Sequence, residues 1–359
     1  MSIFQLPDME LGDRETWGET RYRWKKAAET CLYGTAPENC SVSSVTLSKE
    51  ILWRGEGMQQ TLLVQYGEDA EFEVLLYAPL DGRKHPAIVW NSFTREPGAE
   101  CPLREMVVER GYIIACFDRE QLMEDKMGGL DPVRQAFPGY SWGAIRAWAY
   151  GASMVATMLC ERQDVDRDKL VVTGHSRCGK AALAAGIFDE RFQVTAPICS
   201  GAGGGGCFRY LGDREGFHQD PVKAESLGRV GSAFPYWWSE SYSAWWPEDN
   251  PSGMGREQDF PLDAHILKAL IAPRNLITCD GMEDLWSNPR GSALTAICSR
   301  PAFERMGGRS EAFFHEGGHV FGTEDWHALL DFCDEVLLGK PGRDWHSDFL
   351  DSVEKEVQA

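Results

Sequence analysis

Residues 170–183 read LVVTGHSRCGKAAL. An apolar, β-branched run passes into Gly174-His175-Ser176 and at once into a helix-forming stretch. Strand, turn and helix in that order are the setting in which a strained turn lifts a serine hydroxyl above a sheet edge. Small residues are needed beside such a serine because neighbouring backbone crowds the turn. The spacing here is G-x-S-x-x-G, with Cys178 where the usual second glycine stands. The competing reading makes Ser176 a helix N-cap without chemistry.

Outward from this stretch the rhythm repeats. VTAPIC (194–199) and NLITCD (275–280) read as strands, and so does EAFFH (311–315). HILKALI (265–271), SALTAICSR (292–300) and EDWHALLDFCDEVLL (324–338) read as helices. Strands alternating with helices predict an α/β fold with a mostly parallel central sheet covered on both faces. Upstream, SVSSVTL, TLLVQY, FEVLLYAPL, PAIVWN and YIIACF read as further strands. A long helical stretch, WGAIRAWAYGASMVATMLCE, covers 142–161. Residues 1–40 are expected to form a helical extension on the core, with Trp17, Trp24 and Leu32 as docking points. The main domain spans 41–340, with an insertion at about 201–260 that is too long for a simple connection. Residues 341–359 read as a polar tail that frays.

The chain has 359 residues and a formal net charge of −19. That charge disfavours nucleic acid and anionic membrane as partners. Neither a signal peptide nor an apolar run of about 20 residues is visible. Several of the 11 cysteines sit in apolar runs, among them Cys116, Cys279 and Cys333. The expectation is a reducing cytoplasm.

A serine nucleophile needs a base and an acid. His319 follows the last strand, in FFHEGGHVFG, and the order nucleophile, acid, histidine is that of α/β-hydrolases. His315 and His319 also match H-E-x-x-H, a zinc-peptidase pattern. That chemistry needs both histidines on one helical face, and two adjacent glycines after a strand oppose a helix there. The acid is expected in NLITCDGMEDLWSNPRG, which offers Asp284 first, then Glu283, then Asp280. Arg177 and Lys180 flank the serine and suit an anionic or polar substrate group. The tryptophans at 237, 238, 245 and 246 suit either sugar stacking or core packing.

These segments together resemble a known family. GHSRCGKAAL, FDERF, SGAGGGG, FPYWW, LDAHILKALIAPRNLI, EDLWSNPRG and EGGHVFGTEDW are similar to the glucuronoyl esterases of carbohydrate esterase family fifteen and their acetylxylan-esterase-like relatives. LPD…W…LYGTAPE and SWGAIRAWAYGAS extend the similarity over nearly the whole chain. The resemblance implies an α/β-hydrolase fold with an active-site insertion, and ester hydrolysis through Ser176 and His319. It also implies an oxyanion site helped by Arg177 and sugar contacts from Lys180 and Trp237. The implied substrate is a small carbohydrate ester, glucuronoyl or acetyl, of the kind a xylan-derived oligosaccharide carries, with no metal or cofactor. In one place the chain departs from the family: Cys199, in ICSGAGG, stands where many members carry the catalytic glutamate. Other members place the acid on the later loop, which matches Asp284.

Overall fold

A computed structural model of the chain describes residues 6–52, 57–94, 103–211, 224–246 and 255–358. Among these residues one nine-stranded sheet forms, from β1 (Val42–Leu52), β2 (Gly57–Tyr66), β3 (Ala70–Pro79), β4 (His85–Ser92) and β5 (Ile113–Asp118), with β6 (Val165–His175), β7 (Phe192–Ile198), β8 (Asn275–Gly281) and β9 (Ser310–His315). Their spatial order is β1-β2-β3-β5-β4-β6-β7-β8-β9. Pairing is antiparallel from β1 through β3 to β5, and parallel from β5 to β9.

The helices in chain order are α1 (Arg14–Ala28), α2 (Leu103–Glu109), α3 (Pro132–Ala136), α4 (Ala144–Cys160) and α5 (Arg177–Phe188). They continue with α6 (Leu227–Ala233), α7 (Ala264–Ala269), α8 (Pro289–Met306), α9 (Thr323–Leu338) and α10 (Asp348–Gln358). Side-chain alternation in the strands feeds two cores. Ala87, Val89, Leu170 and Val172 meet α4 and α5 on one face, while Ile88 and Val171 meet α2 and α9 on the other. Both sheet faces are thus covered, which is why the parallel strands read as continuous apolar runs. Helix α4 is apolar around nearly its whole circumference and correspondingly buried. The fold is that of an α/β-hydrolase.

Asp13 caps α1, its carboxylate accepting from the Glu15 and Thr16 amides. Trp17 and Leu32 are buried in the larger core, and Trp24 donates its Nε1 to the Met9 carbonyl at 2.9 Å. The C-terminal residues do not fray as their polarity suggests. They form α10, where Phe349, Leu350 and Val353 make one apolar stripe against Leu294 of α8 and Phe314 of β9. Three spaced apolar residues suffice for docking even in a polar sequence. Of the expected insertion, residues 212–223 and 247–254 lie outside the described residues. Among those described, no helix is long and apolar enough to cross a membrane.

Register decides where the loops open. Asn91 pairs with Gly174, His175 with Ile198, and Gly281 with His315. The carboxyl ends of β4, β6, β7, β8 and β9 therefore share one sheet edge, the place where open α/β sheets bind ligands.

Candidate active site

Ser176 follows β6 directly and holds φ 58°, ψ −125°. This is strained backbone for a residue with a Cβ. Its side chain makes no capping hydrogen bond to α5, so it is not serving as an N-cap. Two glycines make room for the turn. A Cβ at Gly174 would lie 2.4 Å from the Cys178 carbonyl oxygen, and one at Gly179 would lie 2.8 Å from that of Ile198. Gly179 thus does the work expected of residue 178, and Cys178 turns into the core. The displaced glycine spacing is a local variant of the same turn. Helix α5 starts at Arg177, so its positive end and first amides lie beside the serine.

His319 sits beyond β9 with its side chain 35% exposed, and its ring centroid is 4.5 Å from that of His175, the residue before Ser176. Its Nδ1 is 2.5 Å from Asp284 Oδ2. Ser287 Oγ lies 3.1 Å from the same nitrogen and donates to the Cys199 carbonyl at 3.0 Å. With its proton committed to Cys199, the serine oxygen accepts, and the Nδ1 proton is shared between it and Asp284. That fixes the tautomer and leaves Nε2 free to take a proton. Burial opposes the charge of Asp284, but hydrogen bonds from His319 and Ser287 outweigh it and hold its carboxyl below its ordinary range.

The other two acids of this loop are elsewhere. Asp280 is buried, accepts from Ser292 Oγ at 2.6 Å, and is pushed toward its neutral form by that burial. Glu283 is exposed. Cys199 Sγ contacts the Val320 carbonyl at 3.4 Å, and burial pushes its thiol up. A thiol kept protonated brings no charge to an imidazole.

Arg177 and Lys180 lie on one turn of α5 and do different things. The Arg177 guanidinium is 4.9 Å from the Trp237 ring centroid, and its Nη1 is 2.5 Å from Asp125 Oδ2. Asp125 also accepts from Arg119 Nη2 at 2.7 Å, Trp237 Nε1 at 2.8 Å and Tyr236 OH at 3.0 Å. Burial opposes its charge, and those donors still keep the carboxyl below its usual range. Lys180 is 2% exposed. Its Nζ is saturated by the Ser200 and Ala202 carbonyls at 2.6 and 2.8 Å and by Glu225 Oε2 at 2.6 Å. Burial lowers its pKa, with Glu225 opposing.

In this arrangement the Lys180 donors meet the glycine-rich loop and Glu225. Trp237 is 1% exposed and stacks on Phe234 at 3.8 Å. Trp238 stacks on Tyr242 and Trp245 meets Phe260 edge-on, so this cluster packs core. Among the described residues the exposed tryptophan is Trp286, at 40%, on the loop that carries Asp284.

The H-E-x-x-H match dissolves in the structure. His315 ends β9 and His319 lies in the turns beyond it, so no helical face joins them. His315 Nδ1 contacts the Glu316 carbonyl at 2.8 Å, and its Nε2 is 3.5 Å from Asp325.

Sequence reasoning missed Asp125, Arg119, Ser287 and Glu225. Asp125, Ser287 and Glu225 pair with residues more than 20 positions away, Arg119 joins them through Asp125, and no local pattern reports such pairings.

A sequence profile described as glucuronyl esterase, fungi, matches residues 65–307. A carbohydrate esterase from an unknown prokaryotic organism is 30% identical over 215 residues, 55% of this chain and 45% of that protein. The 4-O-methyl-glucuronoyl methylesterase of Hypocrea jecorina is 30% identical over 207 residues, 56% of this chain and 42% of that one. The chain thus spans less than half the length of these relatives. Among solved structures, the glucuronoyl esterase from Solibacter usitatus superposes with a TM-score of 0.77 at 24% identity, covering 92% of this chain and 97% of that one.

Proposed function

The chain belongs to the glucuronyl esterase family, and from that premise we propose that it is a serine carboxylesterase cleaving a glucuronoyl ester of a small carbohydrate. The observation that carries the reading is the 2.5 Å contact between Asp284 and His319, set against the strained turn at Ser176. Ser176 Oγ attacks the ester carbonyl and passes its proton to His319 Nε2. Asp284 stabilises the imidazolium that results. The oxyanion forms beside the α5 amides and the Arg177 guanidinium, whose position Asp125 fixes. His319 returns the proton to the departing alcohol. Water, deprotonated by His319, then cleaves the acyl-enzyme to a uronic acid and restores Ser176.

Acetylated xylo-oligosaccharide is the competing ester. A reducing, cytoplasmic setting is part of the reading, supported by the ten described cysteines, all of which are free thiols. In that setting the substrates are short oligosaccharides derived from xylan.

The test compares benzyl glucuronoyl ester, acetylated xylo-oligosaccharide and 4-nitrophenyl acetate. The uronate ester should give the highest kcat/KM, and a fluorophosphonate should label Ser176 alone. Preference for the acetylated sugar would replace the glucuronoyl assignment, and absence of labelling would remove the serine mechanism.

A further inference from the structure

Among the described residues, one group that includes the proposed base collects metal-ligating atoms. A ring nitrogen of His175, the thiol sulfur of Cys199 and a ring nitrogen of His319 all lie within 4.8 Å of one another. They arrive from three different strand ends, those of β6, β7 and β9. His175 Nε2 is buried and has no hydrogen-bond partner. An orphaned imidazole nitrogen in a protein interior is costly, and a ligand there would relieve it.

The donor set is chemically selective. Two imidazoles and a thiol suit a borderline-soft divalent ion such as zinc, not magnesium or calcium. Zinc–nitrogen and zinc–sulfur bonds of about 2.0–2.3 Å put neighbouring tetrahedral ligands about 3.6 Å apart. From a 4.8 Å limit, shifts of about 1 Å or less close the site. Its supporting shell is already in place. Metal-binding histidines characteristically give their other N–H to a carboxylate, and Asp284 holds Nδ1 of His319. The exposed flank of His319 gives the ion a route in.

We propose that His175, Cys199 and His319 form a reversible inhibitory site for a zinc-class divalent cation. Binding replaces the thiol proton, which leaves to buffer, and breaks the contact from Cys199 Sγ to the Val320 carbonyl. The ion takes the nitrogen with which His319 would accept the serine proton, so turnover stops while the ion stays. It is not a resident cofactor, and chelation should not lower activity. Cys199 is the residue that completes the donor set.

The inhibition rests on His319 acting as the base, whereas the binding does not. The experiment therefore reads binding without substrate. The chelator-treated full chain is titrated with Co²⁺, then with Zn²⁺. The expected result is one equivalent bound with a near-ultraviolet thiolate-to-cobalt absorption band, displaced by zinc and missing in Cys199→Ala. In a parallel 4-nitrophenyl acetate assay, zinc should inhibit, EDTA should reverse it, and Cys199→Ala should raise the half-inhibiting concentration about tenfold or more. Cys199→Ser, which keeps size and polarity, should also lose the band. The proposal falls if no band appears, if the band survives both cysteine variants, or if inhibition is indifferent to residue 199. Cobalt bound through Cys199 with turnover unchanged would keep the site but take the base role from His319.

Discussion

The loops after β7 and β8 leave neighbouring strand ends, and both reach the surroundings of His319. The first offers Cys199, held at φ 44°, with a thiol whose proton burial retains. The second offers Asp284, whose carboxylate keeps its charge because His319 and Ser287 donate to it. Ser287 ties the two together, bonding the Cys199 carbonyl and contacting the histidine. Either strand end can reach the imidazole, and the residue type standing there decides which one carries charge.

Ser176→Ala sets the floor for that comparison. Turnover should fall at least about a thousandfold with the fold intact by circular dichroism, since nucleophile and base act as a unit. Retained activity would make the contrast between the loops irrelevant to catalysis. Asp284→Asn should come next, losing roughly 10²–10⁴ in kcat because the amide permits the wrong histidine tautomer. An undiminished kcat would show that another group holds Nδ1.

The sharpest test moves the carboxylate to the β7 loop. Adding Cys199→Glu to Asp284→Asn should recover about tenfold or more of the lost kcat, if position alone decides the role. No recovery would mean that the β7 loop cannot aim a carboxylate in this chain.

Acid stability offers a smaller effect. Asp284 has a folded pKa below its unfolded value, so its stabilising contribution is present above about pH 4 and is lost as pH falls below that. The gap in Tm between the wild type and Asp284→Asn should shrink between about pH 5 and pH 3. A gap that widens on acidification would reverse the sign assigned here. The smallest effect belongs to Cys199→Ala in chelator, where kcat/KM should stay within about threefold, because a neutral thiol gives the imidazole no charge. A loss near that of Asp284→Asn would abolish the distinction between the loops.

Much of this was legible from residue patterns. Alternating apolar strands and helices gave the parallel sheet, because strands buried on both faces must read as apolar runs. LVVTGHSRCGKAAL gave the turn at Ser176, because a strained turn after a strand needs glycine on either side. Asp284 could be ranked first in its loop, since it lies beyond the turn that Gly281 begins.

Other assignments had no local signal. Lys180 and Trp237 have the chemistry of sugar ligands, and only packing shows that Glu225 and two carbonyls meet the lysine and that Phe234 stacks on the tryptophan. Asp125 is one acid among 55 Asp and Glu until the fold brings Arg119, Arg177, Tyr236 and Trp237 onto it. The sequence by itself determined which elements form and which residue types could react, because propensity and turn sterics act over a few residues. Only the tertiary structure decided which groups are spent and which are free, because burial and pairing between distant segments exist only once the sheet has set its register.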